Sequence, residues 1–160
     1  MSASISLSPQ RDALAAEALR RSGRLRLQVR GESMLPALWP GDLVEIAACS
    51  LHDVERDEIV LAFREGRFFL HRFLAPHEQH GFLTRGDSMP GPDPVFPADA
   101  LLGKLMRVVR DGQTVSPLRQ PWSRVVGIFF CHCSSVRRAA LRFHSWRDSR
   151  RPEVAHLETA

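Results

Sequence analysis

A chain of 160 residues, 44% hydrophobic, allows one domain with a modest core and leaves no room for a second catalytic domain. The net charge is +4, carried almost wholly by arginine, because Lys104 is the single lysine. No run of about 18 uninterrupted apolar residues is present, which excludes a membrane-spanning helix, and the N-terminus has neither the basic start nor the apolar core of an export signal. A cytoplasmic protein is expected.

Residues Ser8 to Gly23 read as an amphipathic helix, with Ser8 as N-cap, Pro9 at the first helical position and Gly23 just past the end. From Leu25 the period changes to two: Leu25, Leu27 and Val29 alternate with arginine and glutamine, the pattern of a half-buried strand. Further strands are predicted at Leu43 to Ala47, Glu58 to Phe63, Arg67 to Leu74, Gly81 to Thr84 and Leu101 to Arg110. Short strands separated by Gly, Pro and Asp turns imply a mainly β, antiparallel domain. The predicted division is an N-terminal helix over 1–24, a β domain over 25–116 and a basic amphipathic helix and tail over 117–160.

In that last segment Trp122, Val125, Val126, Phe129, Cys133, Val136, Ala140 and Phe143 recur at helical spacing, with Arg124, Arg138 and Arg142 on the opposite side. Such a helix either packs on the β domain or lies at an anionic membrane surface through residues 122–151. Nucleic acid is not the expected partner. The cysteines, Cys49, Cys131 and Cys133, are odd in number and two of them stand one residue apart, which is poor geometry for a disulfide framework. Cys131-His132-Cys133 lacks the C-x-x-C or H-x-x-x-H partner that would complete a tetrahedral site, so no metal and no other cofactor is expected.

Between the first two strands lies Gly31-Glu32-Ser33-Met34-Leu35-Pro36-Ala37-Leu38-Trp39-Pro40-Gly41-Asp42. Gly31 permits close backbone approach or a positive φ, the two prolines stiffen the loop, and Gly41-Asp42 turns the chain into the next strand. A serine on such a loop can present its hydroxyl and its own N–H to a carbonyl, as a serine nucleophile with a backbone oxyanion donor must. A stiff structural loop with an incidental serine would show the same features.

The pattern Ser33-Met34-x-Pro36-x-Leu38-x-x-Gly41-Asp42 resembles the nucleophile box of type I signal peptidases. The resemblance implies Ser33 as the nucleophile, with Gly31, Met34, Leu35 and Pro36 beside a pocket for small side chains. Gly31 offers no side-chain donor, which is similar to family members that rely on backbone N–H groups. His71-Arg72 on the strand from Arg67 to Leu74 is similar to the histidine-base version of the family, and Leu102-Gly103-Lys104 to a different, structural element, which disfavours a lysine base. Thr84 to Asp93 resembles the third box, a Gly-Asp followed six residues later by another aspartate. By resemblance either Asp87 or Asp93 orients His71 or braces the nucleophile loop, with Asp93 preferred for His71 and Asp87 for support. Ser88-Met89-Pro90 departs from the family, which usually has asparagine or arginine after the Gly-Asp.

The resemblance covers about Leu25 to Arg110 and implies a serine endopeptidase whose substrate is a leader or signal-type peptide or protein. A counterpart of the family's N-terminal membrane anchor is not expected. Two other readings remain: a self-cleaving repressor-type domain, and a non-catalytic membrane- or nucleic-acid-binding module on a degenerate peptidase scaffold.

Overall fold

The computed structural model describes residues 9–78 and 81–116, together with the single positions 138, 139 and 142. The predicted N-cap Ser8, Cys131, Cys133 and, those three positions apart, the basic helix and tail over 117–160 lie outside the described residues.

Helix α1 spans Pro9–Ser22. Ala16 and Leu19 bury one side of it completely while Leu14 stays 71% exposed, the signature of an amphipathic helix laid on a core. Arg20 and Arg21 sit in the last turn, where cations suit the helix dipole. Gly23 then takes φ +72°, and its N–H donates to the Leu19 carbonyl at 2.9 Å, closing the helix as a left-handed C-terminal residue does.

The rest is antiparallel sheet, as the mainly β expectation requires. Its strands are β1 (Arg24–Gln28), β2 (Leu43–Ala48), β3 (Ile59–Arg64), β4 (Arg67–His77), β5 (Gly81–Arg85), β6 (Phe96–Pro97), β7 (Leu101–Arg110) and β8 (Gln113–Val115). They run in the order β1-β2-β7-β3-β4-β5-β6, with β8 also paired to β7. Six strands fall within a few residues of their predicted positions. The two unpredicted ones, β6 and β8, have two and three residues, too few to show a period of two. Between β3 and β4, Glu65 and Gly66 both have positive φ (53° and 75°), the geometry of a two-residue hairpin that fixes the register at Arg64 opposite Arg67.

Because side chains alternate along a strand, β3 and β4 feed two cores at once. Ile59, Leu61, Phe68 and Leu70 join Ala16 and Leu19 of α1 and Val44, Ile46, Leu102 and Val108. Val60, Ala62 and Phe73 turn the other way, onto Phe82, Phe96, Ala100 and Leu101. Phe68, Phe82 and Phe96 are fully buried, each contributing roughly 1.5–3 kcal/mol of transfer free energy. Among the described residues no helix is long and apolar enough to cross a membrane.

Candidate active site

The loop over 29–42 leaves β1 and returns as β2, and its ends are tied by two backbone bonds: Val29 N–H to the Asp42 carbonyl and Gly41 N–H to the Val29 carbonyl, both 2.8 Å. Asp42, 1% exposed, braces the far side: one carboxylate oxygen accepts from the Trp39 N–H at 2.8 Å, and Arg110 donates to both oxygens at 2.7 Å. Inside the loop the chain coils, with Leu35 N–H on the Glu32 carbonyl at 3.1 Å and Leu38 N–H on the Met34 carbonyl at 2.9 Å, and the Leu35–Pro36 peptide is cis. Coiling sends the apolar side chains inward. Met34 lies in the main core, Leu35 is fully buried and Pro36 is buried, immediately after Ser33 in the chain. Gly31 is half-buried and is not one of the glycines with positive φ, which are Gly23, Gly41, Gly66 and Gly112.

A second segment, the turn after β5, holds the loop in place. Ser88 N–H donates to the Ser33 carbonyl and Ser88 Oγ to the Glu32 carbonyl, each at 2.9 Å. Gly86 makes this approach possible: a Cβ there would stand 2.6 Å from the Ser33 carbonyl oxygen and 3.0 Å from Ser33 Cβ.

The side chains of Ser33, His71 and Asp93 meet at this junction. Ser33 Oγ is 2.8 Å from His71 Nε2, and His71 Nδ1 is 2.6 Å from Asp93 Oδ2. Thr84 Oγ1 donates to the same Asp93 oxygen at 2.7 Å, while Asp93 N–H donates to the Thr84 carbonyl at 2.8 Å, so β5 positions the carboxylate from two directions. With its Nδ1 proton on the carboxylate, the imidazole presents a lone pair at Nε2 to the hydroxyl, which is what a general base requires. Ser33 and His71 are 6% and 3% exposed, and Asp93 has 13% of its side chain open. No acceptor among the described residues takes the Ser33 backbone N–H, leaving a donor next to the hydroxyl.

Asp87 takes no part in that chain. Its carboxylate receives Arg72 Nε at 2.7 Å and Nη2 at 2.8 Å, and Arg72 Nη1 reaches the Asp57 carbonyl at 2.9 Å. Since Arg72 follows His71, the two point to opposite faces of β4, one toward Ser33 and one toward an ion-paired anchor. Lys104 is drawn elsewhere as well. It pairs with Val60, which pairs with His71, but its ammonium is 2.8 Å from the Asp53 carbonyl and 3.0 Å from Glu58 Oε1. The Glu58 bond holds its pKa above the usual lysine value, so it is a charged structural group and a poor base.

Four residues of the site stood in the quoted motifs without being assigned a task of their own: Thr84, Gly86, Ser88 and Arg72. For Arg72 a signal existed, since an arginine inside an apolar strand needs a buried carboxylate. For the other three the information is in tertiary contacts alone. Cys49 is a half-buried free thiol whose pKa is pushed up by burial. Among the described residues no group of three or more His, Cys, Asp or Glu side chains is placed to hold a metal ion.

No protein-family model matches this sequence, and no curated protein matches it.

Proposed function

We propose that the protein is a serine endopeptidase that works by acyl transfer, with Ser33 as nucleophile, His71 as general base and Asp93 as the group that orients the base. The observation that carries this reading is the unbroken chain Ser33 Oγ, His71 Nε2, His71 Nδ1, Asp93 Oδ2, at 2.8 and 2.6 Å, assembled from residues 38 and 22 positions apart. In the reaction Ser33 Oγ adds to the scissile carbonyl as its proton passes to His71 Nε2; the imidazolium, stabilised by Asp93, then protonates the leaving amine. Water, deprotonated by the same imidazole, releases the acyl group. The N–H of Ser33 points to a backbone oxyanion donor.

The substrate is a leader or signal-type peptide, a choice that rests on the resemblance of the Ser33 segment to signal peptidases. A cytoplasmic protein, with its basic tail at the inner face of a membrane, belongs to the same proposal. A specific observation favours a second reading, a non-catalytic scaffold: Ser33 and His71 are almost wholly covered, at 6% and 3% exposure, and a substrate must reach them.

Treatment with an alkyl fluorophosphonate followed by peptide mapping separates the two. The peptidase modifies Ser33 stoichiometrically, and His71→Ala abolishes the modification with the fold intact. A chain that takes no label, or takes it at another serine, is the scaffold.

A further inference from the structure

The face of the sheet that carries His71 holds a cation with no hydrogen-bonding partner among the described residues. Val60, Ala62 and Arg64 of β3 stand opposite His71, Phe69 and Arg67 of β4, and alternation puts all six on one face. The Arg64 guanidinium lies over two rings, 4.7 Å from the centre of Phe96 and 5.9 Å from that of Phe69. Its Nε is buried and, among the described residues, makes no hydrogen bond and only one ion pair, a 4.0 Å contact with the neighbouring Glu65, whose own side chain is 85% exposed. A buried guanidinium nitrogen without a hydrogen bond is costly, and natural structures rarely leave one so, while the Arg64 side chain as a whole keeps 30% of its surface open to an incoming partner. Arg67 stands directly across the hairpin, exposed and without an ion pair among the described residues. Like charges facing each other across two strands repel, which an anion between them would relieve.

The position is as informative as the chemistry. The Phe69 ring lies 6.3 Å from the His71 ring, edge-on. The guanidinium is therefore no farther than about 12 Å from the imidazole, a distance that about three to four residues of extended peptide cover. Phe69 is half-buried, so the surface between base and cation is partly open.

We infer that Arg64, with Arg67 beside it, receives the carboxylate of an Asp or Glu side chain in the peptide substrate, about three to four residues from the scissile bond. The two rings lie beside the guanidinium and restrain it, and its N–H groups can meet a carboxylate as a fork. This rests on the serine-peptidase reading and names the substrate feature that the same site selects.

The test measures how strongly random decapeptide pools, enriched in Glu, Gln or Lys, slow fluorophosphonate labelling of Ser33. Wild-type protein is expected to be protected about threefold to tenfold more by the Glu pool than by the Gln pool, and least by the Lys pool. Arg64→Met, which keeps an apolar stem over Phe96, erases the difference between Glu and Gln, and Arg64→Glu moves the preference to the Lys pool. The comparison among pools on wild-type protein needs no variant, so it stands even if Arg64→Met is unstable. Equal protection by the Glu and Gln pools, with Ser33 still labelled, overturns the inference and spares the peptidase reading. So does a lower melting temperature for Arg64→Met with an unchanged preference, which would make Arg64 a cap on the aromatic cluster. Absence of label at Ser33 overturns both.

Discussion

Asp87 grips Arg72 with both carboxylate oxygens, at 2.7 Å from Nε and 2.8 Å from Nη2, and the two side chains are 2% and 6% exposed. The pair locks β4, next to the histidine, onto the turn that braces Ser33. Removing one partner leaves a buried charge, so Asp87→Ala is expected to cost about 3–5 kcal/mol of stability, read as a lower denaturant midpoint. Replacing both residues by apolar ones of similar volume is expected to restore most of it. A single replacement costing less than about 1 kcal/mol would show that the pair does not hold the two segments together.

Asp93→Asn keeps the shape of the carboxylate and removes its charge. Labelling of Ser33 by a fluorophosphonate is expected to slow by roughly 10²–10⁴-fold, because the imidazole loses the group that fixes its tautomer and stabilises its protonated form. Thr84→Val, which withdraws a single hydrogen bond from Asp93 Oδ2, is expected to slow it by about tenfold or less. Equal rates for Asp93→Asn and wild type would remove the aspartate from the mechanism.

Gly86→Ala tests the contact between the turn and the nucleophile loop. The new methyl would lie 2.8 Å from Met89 Cγ as well as 2.6 Å from the Ser33 carbonyl oxygen, so one segment has to move. The expected outcome is about 1–3 kcal/mol of destabilisation together with a loss of Ser33 labelling larger than the unfolded fraction explains. A fully reactive variant would mean that the loop keeps its geometry without this brace.

Lys104→Met discriminates between a histidine and a lysine base. Labelling of Ser33 is expected to be unchanged, while stability falls by about 1 kcal/mol as the bonds to Glu58 and Asp53 are lost. The sign of the pH dependence follows from the raised pKa: the folded state binds the lysine proton more tightly, so this stability is complete below the ordinary lysine pKa. It disappears as pH rises through the folded value. Wild type and variant therefore converge in strong alkali, which pH-dependent unfolding curves would show.

Much of this architecture was legible beforehand because it is periodic. The stripe containing Ala16 and Leu19 and the alternation from Leu25 announce helix and strand without any tertiary knowledge. Gly, Pro and Asp turns between the short strands announced an antiparallel sheet, while the positive φ of Glu65 beside Gly66 came only with the structure. The division of labour between Asp87 and Asp93 was harder, since both lie in a segment of Gly and Pro where no period says which way a carboxylate points. The burial of Met34 and Leu35 was also hidden: this proline-rich loop has no period to show that the local coiling from Glu32 to Leu38 turns both side chains inward. Gly86 needed the partner segment before its lack of a side chain meant anything.

The two-residue turn at Glu65-Gly66 sets which of two adjacent side chains on β4 meets the serine. Slide that strand by a single step toward Asp87 and the apolar side chain of Leu70 would confront Ser33, with the imidazole exiled to the carboxylate of Asp87. Lengthening the hairpin by one residue would thus disarm the serine and, in the same stroke, turn Phe68 and Leu70 away from the helix side of the sheet.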